Sequence, residues 1–465
     1  VVLGLMLALI GITTMGDGDE DVVIEMKIDE EEIPPYDPEI ERDIVKNNVV
    51  NEEDDPVEVE IVEPVEEYAE PESDDEEDAS DIKGKENAFT NVEAGGWGNV
   101  GFMGVGGGGL AGKFGNRVGG RRNAALKGGG SKRSESAVDA ALAWLARHQE
   151  EDGHWDTVKY QGSNTRHDAA QTGLALLAFL GGGHTEKAGT FRKNVTGAVS
   201  WIKGTQQPNG AYSDAWGYNH AMCALGMAEA AGMANVPETK ASAQKAIDYS
   251  VNIHQIGEGS NKGGWRYSAK PPAADISVSG WFVMQLKSAA VAGLRVPFEG
   301  FEGATRFLDS VEVKEDPNDP YSGHRYVYMS DPDNPSQLQP TGMRTAIGIL
   351  CRQFLGVPRD QLQGGVQFML SKSGLPRWGA NGADVDWYYW YYGTLVTFQM
   401  GGDYFKQWND AMRDMLCDHQ IKGGDDDGSW DPTGRYASEG RVFATAAGAL
   451  CLEVYYRYSP LYRGN

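Results

Sequence analysis

Ala137-Val138-Asp139-Ala140-Ala141-Leu142-Ala143-Trp144-Leu145-Ala146-Arg147-His148-Gln149, then Asp152-Gly153-His154-Trp155, then Thr172-Gly173-Leu174-Ala175-Leu176-Leu177-Ala178-Phe179-Leu180, is a pattern that the chain repeats. Its first part puts apolar residues on one helical face, the glycine and aromatic mark a turn, and its last part is apolar nearly all round. The final copy runs from Ala411 to Leu416, through His419-Gln420 and Asp427-Gly428-Ser429-Trp430, to the stretch Ala444 to Tyr456. Turn aromatics fall at Trp155, Tyr212, Trp265, Tyr326, Trp378 and Trp430, at spacings of 57, 53, 61, 52 and 52 residues. Self-similarity at this period predicts a helical repeat array.

Six helix pairs follow: 136–148 with 168–181, 195–206 with 217–232, 241–254 with 276–293, 301–312 with 341–355, 361–371 with 386–400, and 405–419 with 441–457. The second member of each pair is poor in charge and must be buried, whereas the first carries mixed charge on one face. Buried helices ringed by amphipathic ones predict an all-α fold, a closed α/α toroid of six helix pairs over residues 136–460.

The 465-residue chain has a net charge of −27, and residues 17–82 alone hold 30 acidic and 3 basic side chains. The rest is neutral, which argues against nucleic acid as a partner. Residues 17–93, charge-dense and with Pro34, Pro35, Pro38, Pro56, Pro64 and Pro71, read as a disordered acidic stalk. Residues 94–135 read as a glycine-rich basic linker, in which Gly104-Val105-Gly106-Gly107-Gly108-Gly109 lacks the strand, helix and lysine of a phosphate loop. Residues 1–16 are apolar and read as a membrane anchor. Its uncharged run, Val1 to Met15, rises about 22 Å as a helix, so this reading has an upstream portion complete the span. Few cations flank it, which predicts a single-pass protein with the toroid on the extracytoplasmic side.

Phe368 to Leu370 before Pro376-Arg377-Trp378, and His419-Gln420 before Asp427-Gly428-Ser429-Trp430, resemble the Gln-and-Trp motif of the terpenoid cyclase and protein prenyltransferase toroids, squalene-hopene cyclase among them. The resemblance covers about residues 136–460. With the arm, the linker and Tyr388-Tyr389-Trp390-Tyr391-Tyr392-Gly393, the chain looks like bacterial proteins with prenyltransferase and squalene oxidase repeats. That group brings no activity with it.

Protonating cyclases carry Asp-x-Asp-Asp, and Asp384-Val385-Asp386-Trp387 matches three of its positions, with Asp386 in the place of the acid. Trp387 stands where the fourth carboxylate would hold the proton in place. Asp384, Asp386 and the similarly placed Asp275 are therefore the candidate catalytic residues, set against the plain role of capping a helix. His220, Tyr388, Tyr389, Trp390, Tyr391 and Tyr392 are candidate ligand-binding residues, because an aromatic wall suits a carbocation and a stacked sugar alike. The toroid is expected to bring the three aspartates and His220 to one end of a central cavity.

No metal or cofactor is expected. Prenyltransferase zinc needs Asp-x-Cys, which is absent, and His220 with Cys223 offers two ligands where zinc needs three or four. Asp425-Asp426-Asp427 does not have the spacing of a calcium loop. Cys223, Cys351 and Cys451 fall at nearly the same place within the second helix of their repeats and read as small buried residues. The expectation is a membrane-anchored binding or scaffolding module at the bacterial envelope, holding an apolar, isoprenoid, glycan or peptide ligand in its cavity. The alternatives are a terpenoid cyclase-type enzyme with Asp386 as acid and a polysaccharide-acting toroid enzyme.

Overall fold

The computed structural model describes Phe114, Arg117 and residues 121–461, except 164, 260, 270–272, 314–320, 322, 331–334 and 459–460. Expectations for the acidic stalk and for residues 1–16 lie outside the described residues.

Six helices form an inner ring: α3 (Asp168–Gly181), α5 (Gly217–Ala234), α7 (Ile276–Ala292), α9 (Gly342–Phe354), α11 (Trp387–Met400) and α13 (Gly440–Leu452). Each packs on the next and α13 returns to α3, so the ring is closed. Six more lie outside it: α2 (Lys132–Arg147), α4 (Arg192–Gly204), α6 (Pro237–Tyr249), α8 (Phe298–Val311), α10 (Gln363–Ser373) and α12 (Gly402–His419). A π turn, Ser250–His254, prolongs α6. The inner helices are buried on every side, as their composition demands, whereas α2 buries only the stripe around Val138, Leu142 and Leu145.

The pairing differs from the one expected. Each outer helix packs chiefly on the inner helix before it, and α2 packs on α13. The reason is connection length. Short turns, such as Asn235-Val236 between α5 and α6, make antiparallel hairpins, while the long segment bearing the turn aromatic crosses from the outer ring to the inner.

One clasp recurs at these crossings. The Gln149 amide donates to the Gly153 carbonyl at 2.8 Å and to Asn194 O, on the next outer helix, at 3.0 Å. Gln206 and Gln255 do the same. Gln420 closes the circle, donating to Gly428 O at 2.9 Å and to Ala137 O, on α2, at 2.7 Å. The turn glycine is required twice over. Gly153 has φ +101°, and a Cβ there would lie 2.3 Å from Gly197 O on the neighbouring helix. The indoles of Trp155, Trp265 and Trp430 are fully buried and donate to Leu145 O, Ser250 O and Leu416 O at 2.9, 2.7 and 2.9 Å.

The folded part starts earlier than Ser136. Phe114 and Arg117 are buried, and α1 (Arg121–Gly128) packs on α2 and on α14 (Val454–Arg457). Cations assigned to a linker have partners in the toroid. Arg117 reaches Glu229 at 2.6 Å, and Arg121 reaches Glu135 and Asp139 at 2.8 and 2.6 Å.

The expected single-pass localisation is corrected. Among the described residues no helix is long and apolar enough to cross a membrane. The longest two, α5 and α12, have 18 residues each. Of these, α12 carries six Asp, Lys and Arg side chains, and α5 buries an ionised Glu229.

Candidate functional site

All six inner helices start on one rim, which therefore gathers their positive dipole ends. Asp275, Thr341 and Asp386 cap three of them, accepting from Val278 N at 2.9 Å, Arg344 N at 3.2 Å and Tyr389 N at 2.9 Å. On this rim lies a connected belt of rings. His167, the residue before α3, is held by Glu439 at 2.6 Å and stacks on Trp216, with centroids 5.0 Å apart and planes within 3°. Trp216 stacks in turn on Tyr267 at 5.9 Å, and the Tyr267 and Tyr328 hydroxyls are hydrogen-bonded at 2.8 Å. Tyr218 OH donates to Ser277 Oγ at 2.9 Å, which donates to Asp275 at 2.7 Å. Across the mouth, Tyr388 packs against Tyr436 at 5.6 Å, and Tyr436 against Phe443 at 6.4 Å. His167, Trp216, Tyr218, Tyr267, Tyr328 and Tyr436 are all half-buried, each showing solvent part of a ring.

Arginines sit on the same rings. Arg166 lies over Trp216 at 5.5 Å, Arg266 over Tyr267 at 5.4 Å, Arg344 over Tyr328 at 5.3 Å and Arg435 over Tyr436 at 5.7 Å. Asp214 pairs with Arg166 at 2.7 Å and Asp386 with Arg435 at 3.6 Å.

Below the mouth, side chains of the described residues pack across the ring. Trp281 stacks on Tyr391 at 5.5 Å, and Tyr391 OH accepts from Arg457 at 3.4 Å. Arg457 and Arg117 converge on Glu229 at 3.3 and 2.6 Å. Burial pushes the Glu229 carboxyl up, but the two guanidiniums outweigh it and hold the group below its ordinary range. The site is thus a mouth over a packed core.

The candidates named from sequence fall in three places. Tyr388, Tyr391 and Tyr392 face inward around Trp281. Tyr389 and Trp390 face the outer layer; the Tyr389 hydroxyl donates to Gly374 O at 2.9 Å, and Trp390 lies against Trp387 and Trp378. Asp275 and Asp386 lie at the mouth as caps, and burial pushes both carboxyls up against the hydrogen bonds they accept. Asp384 is set apart, 3.2 Å from Arg377, so the two acids of the Asp-x-Asp stretch have different partners.

His220 is away from the mouth, fully buried with both ring nitrogens engaged. Nδ1 accepts from Tyr212 N at 3.1 Å and Nε2 lies 2.8 Å from Ser250 Oγ. Thr172, Ser279, Thr345 and Thr445 accept the same backbone N–H of the turn aromatic in other repeats, so His220 holds a repeat slot. Cys223 bonds Ala169 O at 3.1 Å. Among the described residues no group of three or more His, Cys, Asp and Glu side chains is placed to hold a metal ion.

His167, Glu439, Trp216, Tyr267, Tyr328 and the rim arginines were not singled out from sequence. Most stand within ten residues before an inner helix, and Tyr328 fourteen before α9. The linkers that carry them differ in length, so no common spacing marks them.

The closed double ring defines an α/α toroid. No protein-family model and no curated protein matches the chain. Among solved structures it is similar to the GH76A alpha-1,6-mannanase from Salegentibacter sp. HEL1_6, at 12% identity and a TM-score of 0.50, over 69% of this chain and 98% of that one. It is also similar to an alpha-amylase from Clostridium perfringens (13% identity, TM-score 0.46, 69% and 98% covered) and to a D-mannose isomerase (12% identity, TM-score 0.47, 70% and 97% covered). The first likeness establishes the toroid; at these identities nothing beyond fold is carried over.

Proposed function

We propose that the chain is a carbohydrate-binding toroid whose site is the aromatic mouth. The observation that carries this is the half-exposed stack of His167, Trp216 and Tyr267 beside Glu439. Ring faces pack on the apolar face of a sugar, while the His167–Glu439 pair and the tyrosine hydroxyls supply hydrogen bonds to its edge. The mannanase neighbour is an enzyme of polysaccharides, which agrees with a glycan ligand, but the reading rests on the mouth.

A cyclase would need a strong acid over a deep apolar cavity. Asp386 is a helix cap beside Arg435, and Trp281, Tyr391 and Arg457 fill the space below. Incubation with squalene should give no cyclic product. Glycoside cleavage would need two carboxyl groups astride the bond, and Glu439 is a rim carboxylate with a histidine ring nitrogen 2.6 Å away. Sugar release lost in Glu439→Gln would make the protein a hydrolase at this same mouth.

The test is titration of the full chain with neutral and acidic oligosaccharides, followed by tryptophan fluorescence. Saturable binding is expected, weakened about tenfold or more, or about 1.4 kcal/mol, by Trp216→Ala. No binding across the panel, or undiminished binding by Trp216→Ala, would sink the reading.

A further inference from the structure

The arginines of the mouth are not equivalent. Arg441, in the first turn of α13, has a cation's least favourable place on a helix, and Asp431 and Asp426 neutralise it at 2.8 and 3.2 Å. Arg166 and Arg435 have Asp214 and Asp386. Arg344 is also in a first turn, that of α9, yet among the described residues no carboxylate pairs with it. It donates once, through Nη1 to Gln339 O at 2.7 Å, and its remaining N–H groups find no acceptor among the described residues. Arg266 also lacks a carboxylate partner among them, and its Nη1 touches only Met329 Sδ at 3.8 Å. Both side chains are half-buried. The two are joined through the rings beneath them, since Arg266 lies over Tyr267, Arg344 over Tyr328, and the two hydroxyls are 2.8 Å apart.

Asp275 is the one carboxylate behind this patch. Its Oδ1 already accepts from Val278 N and Ser277 Oγ, and its side chain is fully buried. Arg435 is near Arg344 and adds positive potential. Among the described residues no ion pair balances either guanidinium, and the buried Asp275 acts on Arg266 only at longer range. Two under-compensated cations on one pair of tyrosines, at the positive ends of α7 and α9, are therefore costly for the scaffold alone. They gain what they lack from a planar anion, which a guanidinium holds through two parallel N–H groups.

We propose that Arg266 and Arg344 make the mouth a site for acidic glycans, in which the anionic group of one sugar lies between these arginines and the next ring stacks on Trp216. The proposal rests on the carbohydrate-binding reading. Uronic acids and sulfated sugars share the required chemistry, a compact oxyanion on a pyranose ring.

The test uses the full chain, a uronic acid oligosaccharide such as tetragalacturonate, the same oligosaccharide after reduction of its carboxyl groups, and a sulfated one of equal length. The uronate should bind about tenfold or more tightly than its carboxyl-reduced form. That ratio should fall to about one in Arg266→Gln/Arg344→Gln, read against Arg344→Gln alone should the double variant not fold. In the wild-type chain the ratio should also shrink as salt is raised, with no variant needed. A sulfated sugar bound more tightly than the uronate would assign the site to sulfate esters within the same class. Equal binding of the acidic and reduced forms would overturn this inference and leave the carbohydrate reading standing. Binding of none of them would remove both.

Discussion

His254 shows how much of this protein's acid response lies with single buried rings. Its Nε2 bonds Arg266 O at 2.9 Å, and Nδ1 is buried without a partner among the described residues. A proton on Nδ1 would set a charge against Tyr249 and Phe282 with nothing to receive it. Burial therefore lowers its pKa from 6.5 to about 4. The unfolded chain takes this proton first, so the contribution is full above pH 6.5 and is lost as pH falls toward 4, by about 3 kcal/mol. Glu312 acts later. Burial raises its carboxyl, but His324 and Arg352 outweigh that and bring it to about 2, so its share is lost only between pH 4.5 and 2. Denaturant unfolding at several pH values from 7.5 to 4.5 should show falling stability, with a shallower slope in His254→Asn. An equal slope in the variant would refute the assignment. Sequence marks His148, His254 and His419 as one repeat position, since each precedes a glutamine. It does not mark His220, because four of the other five repeats fill that slot with Thr or Ser.

At the level of the repeat, glutamine, glycine and indole act as one device, and the period of the aromatics makes it legible. Trp430→Ala should cost about 3–5 kcal/mol, as for a large side chain buried without relaxation. Trp378 departs from the pattern. It is half-buried and stacks on His419 at 4.2 Å, while the Tyr389 hydroxyl bonds the carbonyls at the end of α10. Trp378→Ala should accordingly cost about 1–2 kcal/mol, since less area leaves water on folding. Equal losses of stability in the two variants would count against this distinction. Helix order was readable from apolar periodicity, but partner choice was not, because it follows from connection length. The mouth was the least readable part, since its rings come from linkers of unequal length.

The whole molecule is held at its base by residues far apart in the chain. Phe114 and Arg117 enter beside Glu229, and the Arg117 guanidinium also donates to Arg457 O at 3.1 and 2.9 Å. Removing one partner of such a buried group is costly, so Arg117→Ala should lose about 3–5 kcal/mol in denaturant unfolding. Limited proteolysis should leave a core that begins before Phe114; a stable fragment starting at Ser136 would contradict the strap. Sequence placed this segment in a linker because glycines and cations surround Phe114 and Arg117, and nothing local announces a partner at Glu229. The Gln420 clasp to α2 has a different consequence. The seam between the last repeat and the first is built like the other clasped crossings, and Arg117 already touches Arg457. The ring therefore has no privileged starting point. A circularly permuted chain, cut in an outer turn and joined by a linker from Leu461 to Phe114, keeps the packing surfaces of the described residues and differs only in the order of synthesis.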